Sequence, residues 1–79
     1  MGNNEKIVMA FAEALGIDNN DVNESLKYQQ ITQWDSISHM ILITELEDIF
    51  DIEIDTDEVI DMSSFIKAKE ILSKYGIKF

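Results

Sequence analysis

Trp34-Asp35-Ser36-Ile37-Ser38-His39-Met40-Ile41-Leu42-Ile43-Thr44-Glu45-Leu46-Glu47-Asp48-Ile49-Phe50 is the stretch that decides the fold. Within it, Leu42, Ile43, Leu46, Ile49 and Phe50 recur at i, i+1, i+4, i+7 and i+8, which is one face of an amphipathic helix. Asp35 suits the N-cap, because a carboxylate there accepts from the unpaired N–H groups of the first turn. A helix is therefore predicted over about 36–50. Ile37, Met40 and Ile41 are also apolar, but several of them lie off the seam, either as peripheral core or as exposed residues near Ser36. A serine directly after the capping aspartate puts a hydroxyl where orphan N–H groups carry partial positive charge. A phosphodiester on that hydroxyl would sit in a favourable field. Ser36 reads as a point of attachment, not as a catalyst. Ser38, in the same turn, is not separated from it by sequence physics alone.

Outward from this helix the pattern stays helical. Ile7, Val8, Phe11, Ala12 and Leu15 share one face of a helix over 4–15, with Asn3 or Asn4 as its cap and Gly16 as its stop. Residues 17–35 are polar and irregular apart from Val22, Leu26, Tyr28 and Ile31. So long a loop in so small a chain is expected to be pinned by those apolar residues, with a short helical turn near 22–27. Ile52-Glu53-Ile54 alternates but is too short for a strand without a partner. Thr56 suits the cap of a short helix over 57–61. Ser63 or Ser64 suits the cap of a last helix carrying Phe65, Ile66, Ala68, Ile71, Leu72 and Tyr75, ended by Gly76. The expected fold is all-α: a small antiparallel four-helix bundle with three main helices, a short third helix and a long loop between the first two.

Seventy-nine residues at 46% apolar content fit one domain, 1–79, with a small core and no deep substrate cavity. The chain has no cysteine, which removes disulfides, thiolate catalysis and thiolate metal sites together. No apolar run approaches the roughly 20 residues of a membrane span, and no basic-then-apolar leader is visible. Met1-Gly2 fails the myristoylation pattern because Lys6 stands where Ser or Thr is needed. A soluble, cytoplasmic protein is the expectation. The net charge is −10, and all six basic residues are lysines. Nucleic acid and anionic membrane surfaces would repel such a chain, whereas a basic protein partner would be steered to it. Between Lys27 and Lys67 there is no basic residue. Ten of the sixteen acids fall there: Asp35, Glu45, Glu47, Asp48, Asp51, Glu53, Asp55, Asp57, Glu58 and Asp61. That segregation favours a docking surface over a merely solvated face.

Other constellations are weaker. His39 follows Ser36 by three residues, but a nucleophile–base pair also needs an orienting group and oxyanion donors, and none is apparent. His39 reads as a surface or partly covered histidine. Asp51-x-Glu53-x-Asp55-x-Asp57 starts like a calcium loop, yet Thr56 and Met62 occupy the positions that need glycine and glutamate. Glu45 and Asp48 lack a cleft to shift their pKa values and read as a solvated face. Trp34 either staples the loop onto the bundle or flanks whatever Ser36 carries and meets a partner.

Asp35-Ser36-Ile37, Leu46-Glu47, Phe50-Asp51 and Glu53-Ile54, in that order along an acidic helical chain, resemble an acyl carrier protein of the phosphopantetheine-binding superfamily. The likeness spans nearly the whole length. It implies that Ser36 is esterified with 4′-phosphopantetheine by a phosphopantetheinyl transferase using coenzyme A. The thiol of that arm would hold acyl or aminoacyl groups as thioesters, supplying the sulfur the chain lacks. It implies recognition of Asp35 by the transferase, apolar partner contacts at Ile37 and Met40, and acidic contacts at Glu47 and Asp48. Partners would be acyl- or aminoacyl-loading and acyl-transfer enzymes with basic docking patches, and a monomer is expected. Cargo folding back between the helices would meet Ile43, Leu46, Ile54, Val59, Phe65 and Ile71. The chain departs from the family pattern at Trp34 (usually glycine), at Ile37 (usually leucine), and at Ser38 and Ile41, where fatty-acid carriers commonly have acids. An uncharged first half of the second helix suits a discrete carrier of a specialised pathway. Two alternatives from other classes are an unmodified acidic interaction module for a basic partner and a calcium-responsive helical protein. Micromolar calcium is expected to leave Trp34 fluorescence unchanged; a saturable titration would restore the calcium reading.

Overall fold

The computed structural model describes residues 2–79. It is all-helical, with α1 (Asn3–Leu15), a 3-10 turn (Asn19–Asp21), α2 (Ser36–Phe50), α3 (Thr56–Asp61) and α4 (Phe65–Lys74). Among the described residues the only β pairing is an isolated bridge between Lys27 and Ser64.

The helix ends follow local chemistry. Gly16 closes α1 at φ 67°, a left-handed conformation that costs glycine no Cβ clash. At the other end the expected asparagine cap is absent: Gly2 occupies the N-cap, and the Asn3 amide donates to the Lys78 carbonyl at 2.8 Å. Tying down the C-terminal segment has taken the side chain that would have capped the helix. Asp35 caps α2 by accepting the Ser38 N–H, and Asp51 ends it in the left-handed region at φ 54°. Ser64 caps α4 in the same way, accepting the Lys67 N–H at 3.0 Å. Thr56 does not cap α3 as expected; it is the first helical residue, after an Asp55 whose side chain makes no cap bond.

The core is built from Ile7, Phe11 and Leu15 of α1, Leu42, Ile43 and Leu46 of α2, and Phe65, Ala68, Ile71 and Leu72 of α4. Ile49 and Phe50, the end of the predicted α2 seam, are half-buried at its edge. From α3 only the half-buried Val59 packs on the core, so that helix is a thin cover.

The long loop is pinned, as its apolar residues predict. Val22 and Leu26 are buried, and Tyr28 and Ile31 pack partly against the core. Its helical turn lies earlier than expected, at Asn19–Asp21, leaving only a turn closed by Leu26 N–H to the Asn23 carbonyl at 3.0 Å. Backbone bonds then staple the loop to the junction of α3 and α4: Tyr28 N–H to the Ser63 carbonyl and Phe65 N–H to the Leu26 carbonyl, both 2.9 Å. These pairs are far apart in sequence and leave no periodic trace.

Trp34 ends the loop and is fully buried. It meets Phe11 edge-on at 5.4 Å and Tyr28 at 5.9 Å, and Phe11 in turn meets Phe65 at 5.0 Å. One side chain thus joins the loop to α1 and, through Phe11, to α4. A buried tryptophan removes roughly 150–250 Å² from water, about 4–6 kcal/mol at the usual coefficient. That is comparable to the whole net stability of a domain this size. Trp34→Ala is expected to lose roughly 3–5 kcal/mol and to be largely unfolded, with Trp34→Phe intermediate. Urea unfolding followed by far-UV circular dichroism checks this; an unchanged midpoint for Trp34→Ala would remove Trp34 from the centre of the fold.

Candidate functional site

Ser36 is the first residue of α2 and is exposed, whereas Ser38 is half-buried. The Ser38 amide donates to the Asp35 carboxylate at 2.9 Å, which holds Ser38 against the cap, so the two serines are unequal in access. The Ser38 amide bond, aided by the Ser38 hydroxyl and the Ile37 amide, holds the Asp35 carboxyl below the usual aspartate range against a smaller opposing effect of desolvation. The cap is therefore charged at neutral pH, and it adds its negative charge to the positive end of the helix.

The apolar residues expected beside Ser36 are at the surface. Ile37 is 74% exposed and Met40 57%. Two further residues extend this patch. Ile41 is 47% exposed, and Ile60 of α3, which sequence reasoning missed, is 77% exposed. Nothing in the local pattern singled it out, because adjacent apolar residues can share a buried face, as Leu42 and Ile43 do; only the way α3 lies on the bundle turns Val59 inward and Ile60 out.

A shallow trough of about 340 Å³ opens at Ser36 between α2, α3 and the loop. Tyr28, His39, Met40, Val59, Ile60 and Met62 form most of its wall. Of the six residues expected to meet folded-back cargo, only Val59 lines it. Ile43, Leu46, Ile54, Phe65 and Ile71 are buried in the closed core, where neighbouring side chains fill the space cargo would need. A larger depression of about 390 Å³ lies in the loop around Ile17, Leu26 and Ile31, away from Ser36 and interrupted by polar residues.

His39 is half-buried, and both ring nitrogens are engaged. Nδ1 accepts the Trp34 indole N–H at 3.0 Å, and Nε2 lies 2.7 Å from the Val59 carbonyl. Neither is directed to the Ser36 hydroxyl. Because His39 stacks at 24° to a fully buried Trp34, the tryptophan reaches the site through the histidine and makes no surface contact of its own.

The acidic half of α2 is divided by function. Asp48 is exposed. Glu47 is half-buried, and its Oε2 accepts the Ile54 N–H at 2.8 Å, fixing the link between α2 and α3. That structural role was not legible in the sequence. They stand roughly 17 and 18 Å along the helix from Ser36, at about 1.5 Å per residue. Among the described residues the only ion pairs are Lys67 with Asp61 at 3.4 Å and with Glu70 at 3.8 Å, so the acids from Glu45 to Glu58 meet no lysine. Burial raises the Glu45 carboxyl above its usual range, helped by a hydrogen bond with Glu13 of α1 and repulsion from Glu13 and Asp48. Among the described residues no group of three His, Asp or Glu side chains is placed to hold a metal ion, and no helix is long and apolar enough to cross a membrane.

No family model, curated protein or solved structure matches this chain.

The two shifted carboxylates carry opposite signs. Asp35 binds its proton less readily folded than unfolded, so it adds stability above the ordinary aspartate range that is lost as pH falls through the folded value. Asp35→Ala is expected to lower the neutral-pH melting temperature by several degrees, with the difference from wild type shrinking in acid. Glu45 binds its proton more readily folded, so it costs stability as pH rises through its folded value. Glu45→Gln is expected to raise neutral-pH stability by no more than about 0.5 kcal/mol, because solvent screens a partly exposed pair. A Glu45→Gln protein destabilised at neutral pH would contradict that assignment.

Proposed function

We propose that this chain is a discrete carrier protein, with Ser36 as the attachment point for 4′-phosphopantetheine and its helices arranged as the superfamily's antiparallel bundle. The observation that carries the reading is an exposed serine at the start of α2, beside an apolar trough, on a helix whose far half is acidic. The residues suit the group. Ser36 is accessible to a transferase, and the Ser36 and Ile37 N–H groups precede the first intrahelical bond, from His39 N–H to the Asp35 carbonyl. The trough beside Ser36 offers apolar surface to whatever the arm carries. In the attachment step the Ser36 Oγ forms a new O–P bond and loses its proton. The pyrophosphate linkage of coenzyme A breaks, and 3′,5′-adenosine bisphosphate leaves. Once bound, the group supplies a terminal thiol for acyl or aminoacyl thioesters.

In this reading the chain carries and does not catalyse. A tethered cargo meets each docked enzyme at high effective concentration. Ile37, Met40, Ile41 and Ile60 form the dry part of the docking surface near the attachment point. Asp48 and the unpaired acids beyond it steer a basic partner and leave the affinity modest, which suits a carrier that must release. Asp35 presents the helix start to the transferase. The uncharged stretch from Ser36 to Thr44 favours partners of a specialised pathway. An unmodified acidic interaction module is the second reading, because the exposed apolar patch and acid band would also serve a basic partner without any prosthetic group.

Incubation with coenzyme A, magnesium and a broad-specificity phosphopantetheinyl transferase is expected to add one phosphopantetheine increment to the intact mass, absent in Ser36→Ala. No increment on folded protein, with a transferase active on another carrier, would favour the unmodified module. Raising salt from low to physiological levels is expected to weaken docking to a partner enzyme several-fold; a salt-indifferent affinity would remove the electrostatic part.

A further inference from the structure

We propose that His39 is a proton-operated latch that couples α3 to the buried indole of Trp34 and so sets the shape of the trough beside Ser36. An indole N–H can only donate, and a backbone carbonyl can only accept. The bond from Trp34 therefore requires an unprotonated Nδ1, and the bond to Val59 requires a proton on Nε2. Both partners demand the same neutral tautomer. The latch is shut in that form alone.

Protonation leaves the Val59 bond available but places a second hydrogen on Nδ1, facing the indole N–H across 3.0 Å. Two donors cannot share that contact. Trp34 cannot withdraw, since it is fully buried between Phe11 and Tyr28. The imidazolium must turn away from the core, and α3, pinned at both flanks but thinly packed between them, shifts with it. The helix is six residues long, has no side-chain cap and buries no residue fully. Its other ties are the packing of Val59 on the core, the Asp55 N–H to the Tyr75 hydroxyl at 3.0 Å, a long Tyr75–Glu58 contact at 3.4 Å and the exposed Lys67–Asp61 pair, while its flanks are held by the Ile54–Glu47 bond and by buried Met62. Val59 and His39 both line the trough, so a shift of either changes its width.

The groups around the ring do not compensate. From the loop it meets the Tyr28 ring in an edge-type contact at 5.3 Å and 62°, and from α3 it meets the Val59 carbonyl. On α2 the neighbouring Asp35 carboxylate is committed to Ser38. Glu58 of α3 is turned toward Tyr75, just past the end of α4. Among the described residues no carboxylate comes within 4.0 Å of the imidazole nitrogens. This latch does not depend on what Ser36 carries.

Nuclear magnetic resonance of the ¹⁵N-labelled protein tests it. At alkaline pH the imidazole is expected to show the Nε2–H tautomer. On acidification the Trp34 indole N–H and the amides of residues 59–61 should shift with the same midpoint as the His39 ring, while core amides such as Ile7 and Ile71 stay still. His39→Gln keeps a donor and an acceptor but does not titrate, and should abolish those shifts; Ser36→Ala should retain them. An Nδ1–H tautomer would overturn the latch. So would a ring that titrates without moving Trp34 and α3, shifts that persist in His39→Gln, or unfolding before the ring titrates.

Discussion

Burial of the Trp34 indole is the constraint on which the rest depends. A side chain this large can be accommodated in so small a chain only if several elements close around it. Phe11 brings α1, Tyr28 brings the long loop, and His39 brings α2. The indole N–H cannot be left unpaired inside, and its satisfaction by His39 Nδ1 fixes that ring. The fixed ring then reaches the Val59 carbonyl and places α3. Since Trp34 immediately precedes the cap of α2, core packing also determines where Asp35 and Ser36 stand.

The resulting surface separates two kinds of contact along one helix. Near Ser36 it is apolar and uncharged, with Ile37, Met40 and Ile41 exposed and Ile60 beside them from α3. Beyond Thr44 it is acidic and largely without lysine partners. Charge acts at long range and governs encounter, whereas apolar contact acts at short range and governs what is held. The proposed carrier role would use that division, because a carrier must find many partners and remain with none.

The three longer helices were legible because periodic burial and caps coincide: Asp35, Ser64 and Gly16 mark ends that the apolar spacing independently requires. The pinned loop was legible from Val22, Leu26, Tyr28 and Ile31, although not the position of its turn. What escaped was long-range pairing. The bridge between Lys27 and Ser64, the bond from Ile54 to Glu47 and the contact of His39 with Val59 join residues whose separation follows no period. Asn3 was misread for the same reason, since its local preference as a cap lost to a partner 75 residues away. At the candidate site, the cap at Asp35 and the helix start at Ser36 were legible in the sequence, whereas the exposure of Ile37 and Met40 was left open by the apolar spacing. Ile60 needed the placement of a second helix, and the unequal access of Ser36 and Ser38 needed the bond from the Ser38 amide to Asp35.

The most direct measurement is fragmentation mass spectrometry of the protein purified from its own cells, with the modified residue located from the fragment ions. A phosphopantetheine group on Ser36, alone or carrying cargo, is the expected result. A chain wholly unmodified under conditions where other carriers in the same cells are loaded, or modified at Ser38, would contradict the assignment of Ser36 as the attachment point.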